Sequence, residues 1–167
     1  MSPAPSSFPA EHRFRTQVVG AALLDDAESP RRILAARRAY PEALRGLWEF
    51  PGGKVEHGES PQQALVRECR EELGVAIRLL REIEGPHPQG WPLGGAAAMR
   101  VWTAVVVEPG QERVPLPGGP RPEGSDHLEL RWIPAEQPEE EGQELAWIPA
   151  DLPILAAVRE GVRGRAA

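Results

Sequence analysis

A chain of 167 residues with a net charge of −6 and 41% hydrophobic residues suits one domain with a single core and is globular rather than disordered in composition. The negative balance argues against broad binding to a nucleic-acid polymer or an anionic membrane, except where cations stand between them. The single cysteine, Cys69, excludes an intrachain disulfide and points to a reducing cytoplasm, and no apolar run reaches the roughly 18 residues of a membrane span.

The opening "MSPAPSSFPAEHR" lacks the basic-then-apolar order of a secretion signal. It predicts a flexible tail over 1–13 ahead of one domain over 14–167. The apolar run "TQVVGAALL" (16–24) predicts a buried strand, "DDAESPR" a turn, and "RILAARR" (32–38) a second strand completing a hairpin. "AYPEALRGLW" is expected as a loop leading to "EFPGGKVE", where proline and two glycines suggest tight or positive-φ backbone. Ser60-Pro61-Gln62-Gln63 is a helix start, with serine as cap, proline in the first turn and glutamine three residues on. The helix is expected to end near Leu73 at Gly74, with Ala64, Leu65, Cys69 and Leu73 as its apolar stripe. Strands follow over 75–85, 98–108 and 127–133. A long Pro/Gly-rich loop covers 109–126, and the second half of "AWIPADLPILAAVREGV" is a terminal helix.

The first helix carries the chemistry. Glu68, Glu71 and Glu72 fall at spacings of three and four and share one face beside the apolar stripe. Such crowding costs stability unless a cation neutralises it. Mg²⁺ suits the task, since it takes oxygen ligands and uses few carboxylates together with waters and substrate phosphates. A backbone carbonyl of Gly52 or Gly53 can approach the same place, and Arg67 is one turn from Glu71 and can orient it. A solvated charged face salted by Arg67 and Arg70 is the bland alternative.

Gly53, five residues, Glu59, seven residues, then Arg67-Glu68-Cys69-Arg70-Glu71-Glu72-Leu73-Gly74-Val75 resembles the Nudix box. The unusual slot is Cys69, which serves there as a small hydrophobe rather than a nucleophile. The resemblance implies an α/β fold, the Nudix α/β/α sandwich with a mixed central sheet, and a divalent-metal-dependent hydrolase of nucleoside diphosphate derivatives. It implies Glu68 and Glu72 as ligands of Mg²⁺ (or Mn²⁺), with Glu71 helping and a carbonyl of Gly52 or Gly53 adding an oxygen. Arg67 would orient the glutamates and Glu59 would brace the loop.

Over 16–158 the surroundings resemble the MutT-type branch, nucleoside triphosphate pyrophosphohydrolases that release monophosphate and pyrophosphate. On that resemblance Arg38 matches a phosphate-contacting arginine, and the turn Glu49-Phe50-Pro51 lines the nucleoside pocket. Asp151, in "WIPADLPIL", stands where a relative keeps a base-reading asparagine. Ionised aspartate only accepts hydrogen bonds, which suits the exocyclic amine of cytosine. The same residue is also a candidate N-cap for the last helix. Glu123 and Asp126 are rival positions for a further acidic group. The expected activity is Mg²⁺-dependent cleavage of (deoxy)nucleoside triphosphates in nucleotide-pool sanitation or housekeeping. It leans to cytosine nucleotides (CTP, dCTP, 5-methyl-dCTP) over 8-oxo-dGTP, by a monomer or homodimer with no nucleic-acid polymer or membrane partner. A nucleotide-sugar or ADP-ribose pyrophosphatase and a non-catalytic nucleotide-binding module are the rival expectations.

Overall fold

The computed structural model describes residues 12–107, 120–136 and 144–164. The tail expected over 1–13 and the loop expected over 109–126 lie largely outside these residues.

Eight strands and two helices make up the described chain: β1 (Thr16–Leu24), β2 (Arg32–Arg38), β3 (Trp48–Glu49), β4 (Gly52–Lys54), α1 (Pro61–Leu73), β5 (Ala76–Ile83), β6 (Trp91–Pro92), β7 (Ala97–Val107), β8 (His127–Pro134) and α2 (Leu152–Arg163). All strands join one mixed sheet, with β3-β2-β1-β7-β5 as its main path. β1 runs parallel to β7 along its whole length, from Thr16↔Ala97 to Leu24↔Val105. β5 and β6 pair antiparallel with β7, and β8 pairs antiparallel with β2.

The two-residue period of β1 divides the core between the faces of the sheet. Val19, Ala21 and Leu23 pack with Ala64, Leu65, Cys69 and Leu73 of α1. Ala22 and Leu24 pack on the other face with Ile154, Leu155, Val158 and Val162 of α2. This is the expected α/β/α sandwich. Leu65 and Leu73 are fully buried, and each contributes about 2–3 kcal/mol of transfer free energy.

α1 begins and ends as its sequence predicts. The Ser60 hydroxyl accepts the Gln63 N–H at 3.1 Å and the Gln63 side chain accepts the Ser60 N–H at 2.8 Å, a complete capping box. Gly74 closes the helix at φ 67°, a left-handed conformation that costs glycine nothing. Beyond it, the N–H groups of Arg121 and Glu123 donate to the carbonyls of Leu73 and Glu72 at 3.1 and 2.7 Å, so the chain entering β8 caps the free end of α1.

Two expectations are corrected. The hairpin of β1 and β2 is paired only at its base, Leu24↔Ile33; the strands then splay, because β4 takes the facing edge of β1 and β3 takes that of β2, while β8 pairs along the opposite edge of β2. Gly52 and Gly53 do not adopt positive φ. They form β4, opposite Gly20 and Val19, and the need for glycine is one of space, as the site makes clear.

Candidate functional site

The splay between β1 and β2 opens a cavity of about 580 Å³, within the usual size for a small-molecule site. One end is acidic, lined by Glu68, Glu72, Asp126 and the glycines of β4. The other end is mainly apolar, with Val18, Phe50, Leu93, Met99 and Ile148 around Asp151. Arg38 and Glu49 also line the cavity.

The acidic end is organised by Arg67. Its guanidinium donates to Glu59 at 2.7 and 3.1 Å, to Glu68 at 2.9 Å, to Glu71 at 3.2 Å and to the Lys54 carbonyl at 3.1 Å. Glu59 also accepts the Glu56 N–H at 2.7 Å and ties the loop before the helix. Held by Arg67 and that N–H, the Glu59 carboxyl sits below the usual carboxylate range. Glu68 rests against Gly53: a Cβ there would lie 2.4 Å from the Glu68 carboxyl carbon. At Gly52 a Cβ would fall 1.9 Å from the Val19 carbonyl oxygen. Both glycines therefore allow the backbone an approach that no side chain permits. Burial raises the Glu68 carboxyl despite the guanidinium beside it.

Glu72 is buried deeper. Burial raises its carboxyl well above the ordinary range, helped by a hydrogen bond with Asp126 and by the nearby charges of Glu68 and Glu49. Asp126 is held low, first by the Tyr40 hydroxyl, which donates to it at 2.6 Å, and then by Glu72. One Glu72 oxygen, Oε2, is buried without a partner, as is His127 Nδ1 3.9 Å away. His127 Nε2 lies 3.2 Å from Glu49 Oε1. The second Glu49 oxygen accepts from Arg38 at 3.0 Å.

At the apolar end the Asp151 carboxylate accepts the Phe50 N–H at 3.1 Å. It makes no capping bond to α2 although it stands at the helix start, so the N-cap expectation gives way to a tie across the cavity wall. Burial pushes the carboxyl up to about 7. A carboxyl raised that far by burial can donate as well as accept when protonated. Phe50 packs on Trp147 with ring centroids 5.0 Å apart.

Most of the predicted site residues meet in this cleft: Arg38, Glu49, Phe50, Gly52, Gly53, Glu68, Glu72 and Asp151 line it, and Arg67 braces it from behind. Glu71 is set apart, on the exposed side of α1 against Arg67. Pro51 is fully buried, and its carbonyl accepts the Ala21 N–H at 2.8 Å. Of the rival acids, Asp126 reaches the cavity, while Glu123 pairs with Arg121 beside Gly74. Tyr40, Lys54 and Met99 also line the cleft and were not anticipated. The signal for Tyr40 was its place two residues after Arg38; for Met99 there was none without the β1–β7 register.

Among the described residues no three His, Cys, Asp or Glu side chains form a closed group able to hold a metal ion. The donors present fit an open, oxygen-only ion instead. The buried Glu72 Oε2 has no partner, and the Glu68 carboxylate, with Arg67 on one oxygen, is seated on side-chain-free Gly53; both are hard oxygen ligands. Mg²⁺ fills such a site with few carboxylates, completing its sphere with waters and substrate oxygens.

Comparison with known proteins agrees with this geometry. The family described as the NUDIX domain matches residues 14–158. The "Putative 8-oxo-dGTP diphosphatase 2" of Mycobacterium tuberculosis is 37% identical over 103 residues, 62% of this chain and 64% of that protein. The "CTP pyrophosphohydrolase" of Escherichia coli is 61% identical over 44 residues, 26% of this chain and 33% of its own length. Each match thus spans less than two thirds of the relative. The solution structure of the E. coli ORF135 protein superimposes with a TM-score of 0.62 at 30% identity, covering 89% of this chain and 90% of that one.

Proposed function

The chain belongs to the NUDIX family, and from that premise we propose that it is a Mg²⁺-dependent hydrolase converting a nucleoside triphosphate to its monophosphate and pyrophosphate. The observation that carries this reading is the pairing, in one cleft, of an acidic end short of positive charge with an apolar end that holds one polar group, Asp151. Polyphosphate suits the first through a bridging cation, and a base suits the second.

In this reading Glu68 and Glu72, with the carbonyl of Gly52 or Gly53, hold the ion. When bound, Mg²⁺ (or Mn²⁺) neutralises phosphate charge and lowers the pKa of a water. The remaining work belongs to the chain. Arg67 fixes Glu68 and Glu71 in orientation, and Glu59 fixes Arg67. Arg38, anchored by Glu49 and the Tyr40 carbonyl, presents its guanidinium to the phosphates. Asp126 and the Glu72 carboxyl form a carboxyl pair able to accept a proton next to the ion. Phe50 lies against the base and Asp151 reads its edge.

The substrate base in this reading is cytosine, whose exocyclic amine meets the ionised form of Asp151. An oxidised guanine is the second reading, favoured by the protonated form of Asp151, which can also donate, and by the name of the M. tuberculosis relative. The chain would work in the cytoplasm on the nucleotide pool, as a monomer or homodimer; among the described residues no helix is long and apolar enough to cross a membrane.

The test is product analysis across CTP, dCTP, 5-methyl-dCTP, 8-oxo-dGTP, ADP-ribose and nucleotide sugars, with Mg²⁺ and with Mn²⁺. Pyrophosphate from a triphosphate is the expected product. Cleavage of ADP-ribose or sugar nucleotides alone, or ligand binding without turnover, overturns the proposal.

A further inference from the structure

The apolar end of the cleft has an unbranched, flexible side chain in its wall. Met99 is 5% exposed, lies opposite Val18 in the β1–β7 register and lines the cavity with Val18, Leu93 and Phe50. Its thioether rests on the face of Gly20, where a Cβ would stand only 2.8 Å from the sulfur and 3.4 Å from the terminal methyl. Gly20 is not in a left-handed conformation, so its missing side chain serves space and not backbone geometry. The absent methyl at 20 is the seat of the Met99 side chain. Any side chain at 20 would lift the thioether off the strand.

We propose that Met99, seated on Gly20, sets the depth of the base end and so selects the nucleotide by the size of its base, favouring a pyrimidine over a purine. This rests on the reading that the cleft takes a nucleoside triphosphate with its base at the apolar end. Asp151 can choose among base edges, but it cannot measure a ring. Met99 can, because its thioether, seated on Gly20, takes up part of the apolar end. The two positions act in opposite senses. Shortening residue 99 deepens the cleft, whereas adding a methyl at 20 pushes the flexible thioether toward the open cavity.

The experiment compares kcat/KM for CTP, UTP, ATP and GTP in wild type, Met99→Ala, Met99→Val and Gly20→Ala, with folding checked by circular dichroism and melting temperature. Dissociation constants for non-hydrolysable CTP and GTP analogues give a second readout. Wild type is expected to prefer the pyrimidines. Met99→Ala should raise the purine-to-pyrimidine ratio about tenfold, the scale of a few methylenes in an apolar pocket; Met99→Val should raise it less. Gly20→Ala should lower the ratio. Opposite shifts support the proposal, because general damage to the core would depress all four substrates alike. Unchanged ratios, or shifts of the same sign, in a wild type that does hydrolyse triphosphates overturn this inference alone. If wild type neither hydrolyses nor binds any of the four, the functional reading falls and this one with it. Should Met99→Ala unfold, the Val and Gly20 variants give the same contrast.

Discussion

Gly53 and Glu68 share one volume: the space a Cβ would take at position 53 is filled by the Glu68 carboxyl group. Gly53→Ala should therefore move the carboxylate by about 1 Å and lower kcat/KM about 100-fold. The backbone there has no positive φ, so the fold should persist with a loss of about 1–2 kcal/mol. Nucleotide turnover and thermal melting, measured on the same preparation, check both halves. Near-normal turnover would show that the position of Glu68 is not critical.

Arg67 connects Glu59, Glu68 and Glu71 to the Lys54 carbonyl through one guanidinium. Lysine keeps the charge but has no fork with which to hold them together. Arg67→Lys should cost about 10- to 100-fold in Mg²⁺ affinity or in turnover, the usual penalty for disturbing a group that orients metal ligands. Glu71→Gln should cost less, because Glu71 stands on the exposed side of the helix. Mg²⁺ titration calorimetry with a non-hydrolysable nucleotide present distinguishes the two.

Glu72→Gln replaces a buried carboxyl whose Oε2 has no partner. The amide keeps the shape and removes the carboxylate oxygen that the proposed metal site uses. Turnover should fall about 100-fold or more, and the calorimetric signal of Mg²⁺ should weaken with it. The melting temperature should not drop, since the amide keeps the shape of the carboxyl and adds no charge beside Glu68 and Asp126. Retained turnover would remove Glu72 from the metal site.

Asp151 gives a pH signature. Its folded-state value, about 7, lies above the ordinary 3.8. The folded protein thus holds a proton that the unfolded chain releases near pH 4. Its contribution is complete below pH 4, declines as pH rises toward 7 and is gone above it. Asp151→Asn carries no such dependence and can still accept the Phe50 N–H. Relative to wild type it should gain stability between pH 4 and pH 8, reaching up to about 4 kcal/mol. Urea denaturation across that range measures the gain, and base preference across the nucleotide panel should change as well. A flat difference with pH would show that the carboxyl is not held protonated by burial.

The sequence was most informative where contacts are local. The capping box, the stop at Gly74 and the apolar stripe of α1 all depend on neighbours within one or two turns, and the structure shows each of them. The strands of the core were legible for the same reason. Their pairing was not: nothing in "TQVVGAALL" or "RILAARR" indicates that β8, about 90 residues on, will claim the edge of β2. The same distance hid Met99, which reaches the cleft only through the β1–β7 register. Gly52 and Gly53 were expected to give tight or positive-φ backbone and a close approach to the acidic face; the approach is present and the positive φ is not, because a sequence shows the absence of a side chain and not which atoms occupy the space. The raised Asp151 carboxyl could not be read from the chain either, because burial is a property of the assembled walls.

The short stretch from Trp48 to Lys54 has a mechanical consequence. Its first two residues are stitched to β2 and its last three to β1, while Phe50 and Pro51 span the gap between. A single crosspiece thus sets the width of the mouth for both ends of the cleft. The acidic and apolar ends of the cleft, tied to the same short stretch, cannot drift apart independently.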